Sequence, residues 1–299
     1  MDAALRPHSD VSVGQWVLDA VGEWDWAAGL RWLVPPVYEA YARILHPASG
    51  QQLRWSGDRV SGEERRMRWH EVAAREGTTL HPLAQWGLLI AGSTRPGFGE
   101  DGWQYGDPEQ GRMDLDELAA VTKVLSRHTS TPADCFAAVW EGWGELYTTR
   151  IRYSAAAWAP APELETYGWS PLSAMPPSMR GPEAHPRQHP LIEVAWYNDR
   201  FELPHRESLL FACDVRAFAD TSWPVRSGLD STGNSLTPMA LWPSDRAWYL
   251  ASEIDFDSTI VGGSRALVDE LLRLNDTDAA EVVEISIDAD LTTEGDHIN

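Results

Sequence analysis

Glu253, Asp255 and Asp257 stand at alternate positions, and between them lie Ile254 and Phe256. Read as one strand over 246–257, this stretch turns Trp248, Leu250, Ile254 and Phe256 to one face. Tyr249, Ala251 and the three carboxylates then leave the other, with about 7 Å between successive members. Such a row could hold a hard divalent cation through oxygen ligands, or supply an acid and a base for hydrolysis. The plainer reading is the solvated face of an antiparallel strand whose alternate residues form the core. A second group follows at once. Gly263, Ser264 and Arg265 lie between an expected strand and an expected helix, where free amides, a hydroxyl and a guanidinium could grip an anion. The same residues also make an ordinary turn with Ser264 as the helix cap.

Other patterns fail on context. Gly97-Phe-Gly-Glu-Asp-Gly102 has the dinucleotide spacing, but Pro96 precedes it, two acids lie inside it and no periodic helix follows. His70-Glu71 lacks the second histidine of a zincin. His185 and His189 are four apart, but Pro186 and Pro190 argue against a helix that would bring them together. Cys135 and Cys213 sit in apolar runs and read as inert core thiols. No Gly-x-Ser-x-Gly elbow occurs.

Composition narrows the chemistry further. The 299 residues include 24 basic and 45 acidic side chains, a formal net charge of −21, with 16 Trp and two Cys. Lys123 is the single lysine, and no glycine-rich loop precedes it, so a P-loop is excluded. The acidity argues against general nucleic-acid binding, which needs excess positive charge. Two Cys cannot make a disulfide framework or a Cys-rich zinc site. No apolar stretch approaches the roughly 18 residues needed to span a bilayer. The first residues show no basic-then-apolar leader, so the expected setting is the cytoplasm. Charge is uneven along the chain: Arg65, Arg66, Arg68 and Arg75 cluster early, and 275–299 carries acids with no arginine or lysine.

These groups need elements to position them. An amphipathic helix is expected over 114–127, with Asp114 as cap and Leu115, Leu118, Thr122 and Leu125 on one face. Ser61-Gly-Glu-Glu64 reads as a capping box for a helix over 62–75 closed by Gly77. A helix of uncertain extent is expected within 12–33. Residues 37–45 and 83–91 fit helix or strand equally. Strands are expected at 135–140, 191–197, 208–215, 258–261 and 281–287, and a helix at 265–274. Strand, helix, strand at the C-terminal end allows a right-handed crossover with parallel strands. The fold class is α+β: a mixed, mainly antiparallel sheet, helices concentrated in the N-terminal half and one βαβ-like unit near the C-terminus. Residues 1–290 are expected as one domain with a long Pro-rich loop at 155–190, and 291–299 as an acidic tail.

Two blocks carry a resemblance: Leu241-Trp-Pro-Ser-Asp-Arg-Ala-Trp248 leading to Glu253-Ile-Asp-Phe-Asp-Ser-Thr-Ile-Val-Gly-Gly-Ser264, and His128-Thr-Ser-Thr-Pro132 leading to Val139-Trp-Glu-Gly-Trp-Gly144. In patches over about half the chain, they resemble uncharacterised proteins of high-GC Gram-positive bacteria. The resemblance implies a bacterial cytoplasmic setting and no particular activity.

The leading functional expectation is an acidic module that binds a basic protein partner, as immunity or antitoxin proteins do. The alternative is a metal-assisted hydrolase built on Glu253, Asp255 and Asp257 beside Ser264 and Arg265. No cofactor is required by the first reading, and a divalent cation by the second. A nucleic-acid mimic would need carboxylates arrayed at phosphate spacing. No membrane partner is expected, and the oligomeric state is open.

Overall fold

Runs in which every residue is buried, among them Ala40–Leu45, Cys135–Trp140 and Ser258–Gly263, form the interior of the fold. Only strands covered on both faces satisfy that pattern. The computed structural model describes residues 4–22, 29–56, 59–90, 102–146, 189–204, 206–231, 234–292 and 294–299. Most of the glycine pattern at 97–102, His185 and the loop from 155 to 188 lie outside them.

In chain order the elements begin with β1 (Leu5–Pro7), α1 (Gln15–Ala20), β2 (Ala40–Leu45), β3 (Ala48–Gln52), β4 (Arg54–Ser56), β5 (Arg59–Ser61) and β6 (Glu64–Met67). Next come α2 (Trp69–Glu76), α3 (Trp86–Leu89), β7 (Trp103–Gly106), α4 (Leu115–Leu125), β8 (Cys135–Trp140), α5 (Pro190–Trp196), β9 (Phe201–Leu203) and β10 (Arg206–Cys213). The chain ends with α6 (Trp223–Ser227), β11 (Asp230–Ser231), β12 (Asn234–Ser235), β13 (Ala240–Pro243), β14 (Tyr249–Ala251), β15 (Ser258–Gly263), α7 (Arg265–Leu272) and β16 (Glu281–Ile285).

The fold is α+β with an antiparallel main sheet in the order β1-β10-β8-β13-β14-β15-β2-β16, and β9 pairs with the free end of β10. A smaller sheet, β6-β3-β7, stands beside it. Among the described residues, eight strands, β1 to β8, and four helices, α1 to α4, begin before residue 140. The expected crossover exists in a split form. Strands β15 and β16 run parallel and are joined by α7, but β2 lies between them and is antiparallel to both. No sequence-local pattern announces a strand arriving from residue 40.

One face of the main sheet packs Ile44, Val139, Phe211, Leu241 and Val261 against α4, α5 and α7. The other packs Tyr41, Phe136, Trp242, Tyr249 and Ile260 under α1 and the segments around Leu30 and Ala289. The small sheet has its own core of Met67, Trp69, Val72, Trp86 and Tyr105.

Several sequence expectations place well. Asp114 accepts hydrogen bonds from the amides of Asp116 and Glu117 at the head of α4, and Ser264 accepts from Leu267 at the head of α7. Gly77 closes α2 at φ 73°, a left-handed conformation that glycine adopts without a Cβ penalty. Others differ. Residues 191–197 form helix α5, not a strand. Pro190 suits the first helical position, His189 caps Leu191, and Ile192 and Ala195 are buried at helical spacing. The helix expected at 62–75 starts only at Trp69, because 64–67 pair with β3 as a strand. The strand expected over 246–257 is only Tyr249–Ala251. Beyond Ser252 the chain turns, as the Asp255 amide donates to the Glu253 carboxylate at 2.6 Å and the Phe256 amide to the Glu253 carbonyl at 3.0 Å. Residues 294–299, within the expected acidic tail, pack against residues 79–85.

Within the aromatic face, Trp242 stacks on Tyr249 with ring centroids 6.0 Å apart, and the fully buried Tyr249 hydroxyl has no hydrogen-bond partner among the described residues. A buried hydroxyl without a partner keeps its desolvation cost. Tyr249→Phe is therefore expected to stabilise the protein by about 1 kcal/mol. Urea denaturation checks this: the midpoint should rise with the slope unchanged, and a lower midpoint would mean the hydroxyl is solvated.

The two thiols face each other across β8 and β10. The Glu141 amide donates to the Glu207 carbonyl. By the antiparallel alternation, Cys135 and Cys213 therefore belong to the hydrogen-bonded pairs, whose Cα atoms lie about 5.5 Å apart and whose side chains are the more distant set. That spacing lies within a disulfide's reach, but both cysteines are free thiols in this structure. Burial pushes the Cys135 thiol up to about 12 and raises Cys213 further from thiolate formation. Both are core thiols.

Candidate functional site

The turn from Ser252 to Asp257 is held from outside by glycine. Gly111 has φ 69°, and a Cβ there would come within 2.6 Å of the Ile254 Cα, so the 109–112 segment lies directly on the turn. The Gly111 amide donates to the Phe256 carbonyl at 2.9 Å.

Within the turn the three carboxylates part company. Glu253 is 2% exposed and receives Arg206 Nε at 2.9 Å and Nη2 at 2.8 Å. Asp255 points outward and meets the same guanidinium at 3.1 Å. Asp257 turns the other way, onto Arg43 at 3.3 Å. Burial raises the Glu253 carboxyl above its usual range, although Arg206 and the Asp255 amide pull it down. Glu253 and Asp255 are thus brought together by one arginine, while Asp257 belongs to a separate buried cluster. Among the described residues, no group of three or more His, Cys, Asp or Glu is placed to hold a metal ion.

The start of α7 holds an anion of its own. The Arg265 amide donates to the Glu39 carboxylate at 3.0 Å, and the Arg265 guanidinium reaches Glu284 at 2.9 Å. Gly263 is buried in β15, where a Cβ would meet the Leu267 side chain. Gly263, Ser264 and Arg265 therefore meet at one helix start, and a carboxylate of the same chain sits where an external anion would. The head of α2 repeats the arrangement: Glu281 accepts the amides of Trp69 and His70 at 2.6 and 3.0 Å and His70 Nδ1 at 2.8 Å.

A further polar cleft was only partly visible in the sequence as a run of arginines. A cleft of about 370 Å³ lies between β6, the head of α2, the head of α4 and the turn leading to β16. Arg65, Arg66, Arg68, Glu71, Asp116 and Asp278 line it. Beside it, Glu117 is fully buried and takes both Arg66 and Arg68 on Oε1, while its Oε2 has no partner among the described residues. Burial raises this carboxyl, and the two arginines oppose the rise. Arg66 also reaches Asp114 at 3.0 Å, Arg68 reaches Asp278 at 2.9 Å, and Arg65 reaches Glu71 at 3.3 Å. Asp278 of the acidic C-terminal stretch thus docks on the early arginine cluster, and Glu281 on the adjoining head of α2. Sequence spacing could not show this, since Arg68 and Asp278 are 210 residues apart.

The segments around Thr129 and Asp245 also meet. Asp245 accepts hydrogen bonds from Thr129 Oγ1, the Ser130 amide and the Ser130 hydroxyl at 2.8, 2.7 and 2.7 Å, and Trp248 Nε1 donates to the Leu125 carbonyl at 3.0 Å. This joins the β13–β14 turn to the end of α4. With the Ala247 amide as a fourth donor to Asp245 at 3.2 Å, the contact fixes the fold locally. Among the described residues no helix is long and apolar enough to cross a membrane. No family model, curated protein or solved structure matches the chain.

Proposed function

We propose that the chain is an acidic protein-binding module whose partner carries a basic surface, in the manner of an immunity or antitoxin protein. The observation that carries this reading is the placement of charge. Most arginines with described side chains already sit on a carboxylate of the same chain, from Arg31 on Asp288 to Arg265 on Glu284. The surplus of −21 is therefore carried by acids that those arginines leave over. Asp116, Glu193, Asp199, Asp276 and Glu294 are exposed and form no ion pair among the described residues. Such a surface speeds encounter with a basic partner and disfavours others. On and just after α5, Val194 and Tyr197 are 57% and 83% exposed beside Glu193 and Asp199. Apolar area with a charged rim suits an interface.

The test is a pull-down from native lysate at low and moderate salt, with the retained protein identified and its stoichiometry measured. A stoichiometric basic partner that is lost as salt screens the contact supports the reading. Recovery of no stoichiometric partner at low salt, or of one that is acidic, overturns it.

A further inference from the structure

We propose that Cys135 and Cys213 are a redox pair, which closes into a disulfide across β8 and β10 when a low-molecular-weight disulfide is present. The chain has two cysteines in 299 residues, and they stand directly opposite each other in register. As small apolar fillers they would be interchangeable with alanine, which occupies 137, 138 and 212 in the same two strands. Directly opposed residues of an antiparallel pair project from the same face. Both thiols accordingly belong to the core packed against α4. This inference rests on the pair alone and is independent of the proposed basic partner.

Geometry sets what kind of bond this is. A hydrogen-bonded pair holds its Cα atoms about 5.5 Å apart, inside the disulfide range of about 4.4–6.8 Å. Its Cβ atoms also stand at about 5.5 Å, wider than the roughly 3.5–4.5 Å of a closed bridge. Closure therefore has to draw the two strands together. The pair sits where they can give: Cys135 opens β8 and Cys213 ends β10, so this is the last rung of the ladder. Ala133, Asp134 and Arg216 beside it are exposed. In the free form the Cys135 thiol donates to the Thr131 and Pro132 carbonyls at 3.6 and 3.5 Å, weak contacts that rotation about its Cα–Cβ bond releases. Local opening of a strand end also admits a small reagent to sulfurs that are buried in the closed fold. A bridge under such strain is readily reduced again, which suits a reversible pair rather than a permanent staple.

The exchange balances within the pair. One cysteine, deprotonated, attacks the small disulfide, forms a mixed disulfide and releases one small thiolate. The second cysteine, losing its proton, attacks the protein sulfur of that mixed bond and releases the other. The protein loses two hydrogens, and the small disulfide is reduced to two thiols. Burial holds both groups as thiols, so the first attack waits on opening and the exchange is slow.

The test uses the full chain with 2-hydroxyethyl disulfide as the oxidant, applied to the folded protein and during refolding from urea. The expected product is a monomer lighter by two hydrogens, with residues 135 and 213 in one cross-linked peptide. Dithiothreitol should restore both thiols. Because the closed loop from 135 to 213 is long, the oxidised chain should show a higher urea midpoint than the reduced chain. Cys135→Ala and Cys213→Ala should each abolish that rise. If neither variant folds, the comparison of oxidised with reduced wild type still decides. Recovery of the folded dithiol from both treatments, mixed adducts without a cross-link, or bridges only between chains would overturn the pairing. So would a midpoint lowered by oxidation, since the bond would then form only outside the native register.

Discussion

Arg43→Met is expected to destabilise the protein by about 3–5 kcal/mol, the range for removing one member of a buried charged cluster. Arg43 is 1% exposed in the middle of β2. Its Nε donates to Ser258 Oγ at 2.9 Å, its Nη1 to the carbonyls of Pro82 and Ala84 at 3.0 and 2.9 Å, and its Nη2 to Asp257 at 3.3 Å. The guanidinium also lies over the Trp69 ring, 5.3 Å from its centroid. One side chain thus ties the main sheet to the segment entering α3 and to the core of the smaller sheet. Methionine fills much of the volume but leaves two carbonyls and a hydroxyl without donors, each worth about 1–3 kcal/mol when buried. Arg43→Lys should rescue little, because an ammonium cannot span partners set for a planar fork. Denaturant titration measures the loss, and amide exchange locates it: protection should fall first at 80–89. A loss below about 1 kcal/mol would mean that water reaches these carbonyls and that the arginine is not what joins the two sheets.

Arg43 also shows where reading the sequence stops. Its neighbours Tyr41 and Ile44 gave β2 an apolar character that fitted helix or strand, and nothing local marked the arginine as interior. What makes it interior is a set of partners 39 to 215 residues away, which no local period encodes. The helices α4 and α7 were legible because Asp114 and Ser264 cap them from the adjacent residue. Strand β8 was legible because it is apolar throughout. The row Glu253, Asp255, Asp257 had the right spacing for one strand face and the wrong backbone. Glu253 draws the Asp255 amide into a turn, and two arginines from distant strands divide the acids between them. Alternation in the sequence was real, but a carboxylate able to bond its own backbone competes with the ladder. The cleft was legible only by half: its arginines are contiguous, whereas Glu117 and Asp278 come from elsewhere in the chain. The surplus of acid is partly architectural as well, since Glu39, Asp114 and Glu281 each satisfy the amides of a helix start.

The same logic gives the C-terminal residues a defined load. The Asp296 side chain is fully buried, and accepts from His81 Nε2 at 2.9 Å, the Gln85 amide at 3.0 Å and the amides of Ile298 and Asn299 at 3.1 Å each. Asn299 completes the contact by bonding the Thr79 amide and carbonyl at 2.9 and 3.1 Å. Burial works to raise the Asp296 carboxyl, but the donors from Asn299, Gln85 and Ile298 outweigh it and hold the group well below the usual carboxylate range. Asp296→Asn would turn an amide toward one set of these donors. Losing two hydrogen bonds to a charged group, at about 1.5–3 kcal/mol each, sets the expected cost near 3 kcal/mol after relaxation. The pH dependence follows from the sign of the shift. A carboxyl depressed in the folded state contributes in full above its unfolded value of about 3.9 and loses that contribution as pH falls through the folded value. The difference between wild type and Asp296→Asn should therefore shrink below about pH 4, as Asp296 takes up its proton. His46 behaves otherwise: burial lowers its basicity and keeps it neutral in the fold. Its effect destabilises both proteins alike as pH drops below about 6.5, where the unfolded chain takes up the proton, and so cancels in the comparison. Gly295→Ala offers an independent break, since a Cβ there would lie 2.0 Å from the Asp290 carbonyl oxygen and the turn into Asp296 would have to open. Both variants should expose the amides of 79–85 to exchange. If protection there is unchanged, the C-terminal residues merely lie on the loop, and Arg43 alone holds it to the sheet.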